Sequence, residues 1–180
     1  MLAKQKRAPL PASEQMGALL DAVALLHGEP PGRRAGALLG RMIELFDADG
    51  ASVDGAPAGG AAQTLGRTRT GAALAVGRTP RALLGQTRGL SRVVVFTAAE
   101  LAAGGWRTRR PRGMRDAVYS LAPPDRSTGA TARAEARAAE IGTVLGLYFA
   151  KPISAEAVVV VAGGLRLLHS SACELLGAIE

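Results

Sequence analysis

Twice within the first 46 residues apolar side chains return with the period of an α-helix, and beyond Phe46 that rhythm does not resume until the stretch that opens at Ser154. Ser13 is placed to cap the first helix, whose stripe is Met16, Leu19, Leu20, Val23 and Leu26, with Leu10 just ahead of it. Gly28 and the Pro30-Pro31-Gly32 turn end it. The second predicted helix, residues 33–46, puts Ala35, Leu38, Leu39, Met42, Ile43 and Phe46 on one face and leaves Arg34, Arg41 and Glu44 off it. A helix with one apolar face must bury it against another layer, so the remainder of the chain has to supply that layer.

The remainder reads largely as strands. After the Asp47-Ala48-Asp49-Gly50 turn come short runs that are β-branched, aromatic or alternating: 51–54, 71–77, 91–97, 115–121 and 142–149. Between them, residues 55–70 are rich in Gly, Ala and Thr and are expected to form a mobile loop. Thr97 and Glu100 have capping-box spacing and open a short helix closed by Gly104-Gly105. Residues 123–131 are a turn-rich break, and 132–141 read as one helical piece or as loop. From Ser154, a candidate N-cap, Val158, Val161, Leu165, Leu168, Ala172, Leu175 and Ile179 follow helical spacing. The four valines 158–161 and Gly163-Gly164 also fit a buried strand and turn, although the single long helix is preferred. The reading is one α/β domain over residues 12–180, preceded by a flexible basic arm, residues 1–11, with Lys4, Lys6 and Arg7.

Composition bounds the class. At 180 residues the chain is the size of one domain. Hydrophobic residues make up 48% but aromatic ones only 3%, so Ala, Val and Leu must build the core. No apolar run nears the roughly 18 residues of a membrane span, and no apolar stretch follows the basic start as in a secretory signal. One cysteine, Cys173, excludes an internal disulfide and suits a reducing, cytoplasmic setting.

Motifs for catalysis are missing. Gly-Lys-Ser/Thr and Gly-x-Ser-x-Gly do not occur, and the look-alike segments at Gly66, Gly77 and Gly85 are unevenly spaced. His169 and Cys173 are four apart on the last helix, where a thiolate and imidazole could pair, but two ligands do not make a metal site. His27 suits a helix C-terminus, and Asp47, Asp49 and Asp54 suit a turn. No catalytic residue, metal or cofactor is therefore assigned, and the chain is read as binding or signalling rather than catalysing. Trp106, Tyr119 and Tyr148 are the candidate ligand-binding residues, because scarce aromatics dominate contact energy where they occur.

Charge supplies the alternative. Residues 61–113 hold ten arginines against the single Glu100, whereas the whole chain carries a net +7. In the densest run, Arg107, Arg109, Arg110 and Arg112 follow Trp106, so guanidiniums could hold nucleic-acid phosphates beside a stacking indole.

Three stretches resemble a GAF-type sensory domain of the kind that precedes the helix-turn-helix module in LuxR-type transcription regulators. They are Ala18-Leu19-Leu20-Asp21-Ala22-Val23 through Ile43-Glu44-Leu45-Phe46-Asp47-Ala48-Asp49, Gly113-Met114-Arg115-Asp116-Ala117-Val118-Tyr119-Ser120-Leu121, and Leu145-Gly146-Leu147-Tyr148 leading to Leu165-Arg166-Leu167-Leu168-His169. The resemblance implies an α+β fold in which the first and last helices pack on one face of a central antiparallel sheet of four to five strands. It also implies pairing with a second copy through the terminal helices, and a small-molecule effector on the other face. Thr79-Pro80-Arg81 and Gly89-Leu90-Ser91 only faintly echo a DNA-binding module, so that function would lie elsewhere.

Overall fold

A computed structural model describes residues 12–55, 63–124 and 141–174. Both leading helices form: α1 is Ala12–Gly28 and α2 is Pro31–Phe46. Helix α2 begins two residues earlier than the apolar stripe indicates, because Pro31 takes the first helical position, where a missing N–H costs nothing. It ends on Asp47 in the left-handed conformation, φ 50°. Strand β1 (Gly50–Gly55) follows at once.

The sheet is antiparallel and five-stranded, in the order β2-β1-β5-β4-β3. The other strands are β2 (Gln63–Thr68), β3 (Val94–Thr97), β4 (Asp116–Ala122) and β5 (Thr143–Phe149). Strands β4 and β5 pair along seven positions from Asp116↔Phe149 to Ala122↔Thr143.

Two expectations are corrected. The loop anticipated over 55–70 contains the edge strand β2, and the strand anticipated over 71–77 makes only one bridge, Arg67↔Ala73. Here β2 gains a full antiparallel ladder against β1, which compensates for its poor apolar content; its Leu65 stays exposed. The chain then folds back over it, the Leu74 N–H donating to the Gly66 carbonyl at 2.9 Å. A Cβ on Gly66 would lie 2.3 Å from the Leu74 carbonyl oxygen, so only glycine permits the fold-back.

Strand alternation splits the core into two layers. Ala51, Val53, Val118, Leu145, Leu147 and Phe149 face α1, α2 and the last helix, α5 (Ala155–Glu174). Helix α2 lies on β1 and β2, α5 on β3 and β4, and α1 packs on both helices. The valine run and the glycine pair belong to α5, not to a strand, and Ser154 caps it, its Oγ accepting from the Ala157 N–H at 3.2 Å.

On the opposite face, Ala117, Tyr119, Leu121, Val144 and Tyr148 lie under a cover built from residues 78–114. That cover starts with α3 (Arg78–Leu84) and a 3-10 turn (Gly85–Gly89), neither of which hydrophobic periodicity signals. It continues through α4 (Ala98–Ala103), where the Thr97–Glu100 capping box is fully formed. The side chain of Ser13 and the segment 132–140 lie outside the described residues.

Candidate functional site

The covered face of the sheet carries polar groups that a purely structural core would not need. Opposite one another on β1, β5 and β4 stand Ser52, Gly146 and Tyr119. Tyr148, two residues after Gly146 and on the same face, leans back over the glycine so that its hydroxyl meets Ser52 Oγ at 2.8 Å. A Cβ on Gly146 would lie 2.7 Å from both oxygens, so the missing side chain makes the room for this pair. Tyr119 meets the Tyr148 ring edge-on, with centroids 6.0 Å apart and planes at 78°.

Burial drives both phenols toward the neutral form. Tyr148 is pushed up to about 12 by desolvation, against the opposing effect of the Ser52 hydrogen bond. Tyr119 is raised further, by desolvation first and then by the Tyr148 phenol beside it. Both therefore keep their O–H at any physiological pH. The Tyr119 hydroxyl nevertheless makes no well-formed hydrogen bond among the described residues, although the Tyr148 hydroxyl is near enough to act on it.

Asp54, two residues along β1 from Ser52, is the second irregularity. Its Oδ1 accepts from the Thr64 hydroxyl at 2.7 Å, whereas its buried Oδ2 accepts no hydrogen bond among the described residues. The nearest cation to Oδ2 is Arg81 Nε at 3.8 Å, on an arginine whose side chain is 63% exposed. An unpaired buried oxygen costs about 1–3 kcal/mol, so two on one face call for an explanation.

Of the aromatic candidates, Tyr119 and Tyr148 are fully buried, and half-buried Trp106 packs against the same cluster. The structure thus gathers all three. Ser52 was missed, and Asp54, expected to serve a turn, is instead buried in β1; polar residues alternating with Ala51 and Val53 in a strand were the available signal. The basic candidates Arg107, Arg109, Arg110 and Arg112 are all exposed on the cover. Thr79 ties their segment to α3: its hydroxyl accepts from the Arg109 N–H at 2.8 Å. Arg110 Nη1 donates to the Arg115 carbonyl.

The remaining chemistry-bearing residues lie elsewhere. His169 is buried on α5, on the opposite side of the sheet, with Nδ1 2.8 Å from Ser120 Oγ. The Cys173 side chain is outside the described residues. Asp47 binds Arg69 at 2.6 Å and Asp49 accepts from the Ala150 N–H at 2.8 Å, so both fix turns. Among the described residues no three His, Cys, Asp or Glu side chains converge as metal ligands. No helix described is long and apolar enough to cross a membrane. Compared with protein families and with curated proteins, the chain matches none.

Proposed function

We propose that this chain is a non-enzymatic, cytoplasmic regulatory domain of GAF-like type that senses a small polar effector at Tyr119, Tyr148 and Trp106. The observation that carries the reading is the pair of oxygens without a hydrogen bond among the described residues, Tyr119 OH and Asp54 Oδ2, buried on one sheet face beneath one cover. A ligand with one acceptor and one donor would complete both and relieve their desolvation cost. Support for the reading comes from the α+β architecture, a five-stranded antiparallel sheet with the first and last helices on the face opposite the cover. A binding role is favoured over catalysis because both phenols stay protonated, His169 faces away, and Asp54, the carboxylate of this face, makes no hydrogen bond to the Ser52–Tyr148 pair among the described residues.

A thermal-shift screen against small metabolites bearing amino, hydroxyl or carboxyl groups tests the proposal on wild type and on Tyr119→Phe. A binder raises the wild-type midpoint by mass action. Tyr119→Phe removes an unsatisfied buried hydroxyl, so it should unfold at higher temperature without ligand, by about 1 kcal/mol of stability, yet lose the ligand-induced shift. A screen with no stabilising compound, or a shift unchanged in Tyr119→Phe, would refute this site.

A further inference from the structure

The cover carries a second feature that effector sensing does not use. From residue 77 to residue 113 it contains eight arginines and one acidic residue, Glu100. Even that carboxylate is engaged, accepting from the Thr97 N–H at 2.7 Å and the Thr97 hydroxyl at 3.0 Å within the capping box. Of the eight, only Arg81 has a carboxylate within 4.0 Å among the described residues. All eight are exposed.

Their arrangement is fixed rather than diffuse. The Arg109 N–H donates to Thr79 Oγ1, and a Cβ on Gly77 would lie 2.6 Å from the Arg109 carbonyl oxygen. The segment carrying Arg107, Arg109 and Arg112 is thereby held against the start of α3, beside Arg78. Buried Pro111 anchors its middle. One carboxylate against eight guanidiniums leaves the cover with a large excess of positive charge, so these cations repel one another unless an anion is present.

We infer that this surface binds the phosphodiester backbone of a nucleic acid without reading sequence. Guanidinium forks match phosphate oxygens in pairs, and a nucleic-acid strand offers the regular row of negative charge that several neighbouring arginines require. An acidic protein would offer isolated carboxylates interspersed with other groups. The cover presents only short helices and irregular chain, and neither α3 nor α4 has the length to read base edges, which is why the binding is to backbone.

The test is fluorescence anisotropy of a labelled 20-nucleotide single strand of mixed sequence, titrated with the full chain at 50 and 200 mM NaCl. Wild type, Arg107→Ala/Arg109→Ala/Arg112→Ala, and Arg33→Ala/Arg41→Ala/Arg166→Ala are compared. The second triple variant removes the same charge from exposed arginines of α2 and α5, on the other side of the sheet. The first should weaken binding at least tenfold at 50 mM and flatten the log–log salt slope by about 2, at about 0.7 for each phosphate no longer neutralised. The second should change neither by more than a small factor. Among the described residues, the side chains of Arg107, Arg109 and Arg112 make no hydrogen bond or ion pair, so folding should survive, and coincident far-UV spectra check it. No binding by wild type at 50 mM, equal losses in both triple variants, or displacement by polyglutamate as effective as by unlabelled DNA at equal charge would overturn the inference.

Discussion

His169 is the residue whose chemistry the fold most strongly alters. Burial lowers its pKa from 6.5 to about 3, because desolvation disfavours the imidazolium and no charged group offsets it. Its folded-state value lies below its unfolded one, so the unfolded chain takes up a proton that the folded chain refuses. The contribution to stability is present above about pH 6.5 and is lost as pH falls toward 3, at up to about 1.4 kcal/mol per pH unit. Urea unfolding of wild type and His169→Gln between pH 7.5 and 4.5 isolates this from carboxylate titration. The gap between the two should close or reverse as pH falls. Parallel stability curves would mean that the imidazole is not desolvated. Ser120 is its sole hydrogen-bond partner among the described residues, and nothing in the spacing of two residues 49 apart announces the pair.

At the level of elements, the glycine pair in α5 separates two roles that look identical in the sequence. A Cβ at Gly163 would meet nothing within 4 Å, whereas one at Gly164 would lie 2.6 Å from Phe46 Cε1. Gly163→Ala should therefore stabilise by about 0.5–1 kcal/mol through helix propensity. Gly164→Ala gains the same propensity but must displace the Phe46 ring, and should destabilise by about 1 kcal/mol or more. Denaturant midpoints that moved alike for both would contradict this packing. The valines of this helix were ambiguous because β-branched runs suit strands, and the packing of α5 on β3 and β4 decides the matter. In α2 the expected stripe and the buried residues agree nearly to the residue, whereas in α1 the expected stripe residues Met16 and Leu20 are exposed and Ala22 is buried instead. The cover elements α3 and the 3-10 turn were illegible, since only Thr79, Pro80, Leu83 and Thr87 are buried in them and no period survives. The candidate site was half legible: aromatic scarcity singled out its rings, but the orphaned Asp54 oxygen depends on register between strands distant in the chain.

For the molecule as a whole, the asymmetry between the two faces of the sheet bears on assembly. The cover is cationic and would repel a second copy, so the pairing that the resemblance implies would use the helical side. There Val159 is 72% exposed, and Leu167, two turns further along α5, is 44% exposed; Gly163 lies between them on the same stripe. Two copies of α5 crossing antiparallel at Gly163 would set Val159 of each against Leu167 of the other, a self-matching arrangement of the kind two-fold dimers require. On α1, Met16 and Leu20 are also exposed and four apart. Terminal-helix dimerisation predicts a mass near twice the 18.4 kDa of the chain by light scattering. Val159→Glu should return it to the monomer, because a carboxylate buried in such an interface lacks a partner, while the heavily exposed site lets the fold stand. Tyr119→Phe, on the far side of the sheet, should leave the mass unchanged. A monomeric wild type, or a dimer indifferent to Val159→Glu, would remove the terminal helices from assembly and leave the effector and nucleic-acid proposals to stand on their own tests.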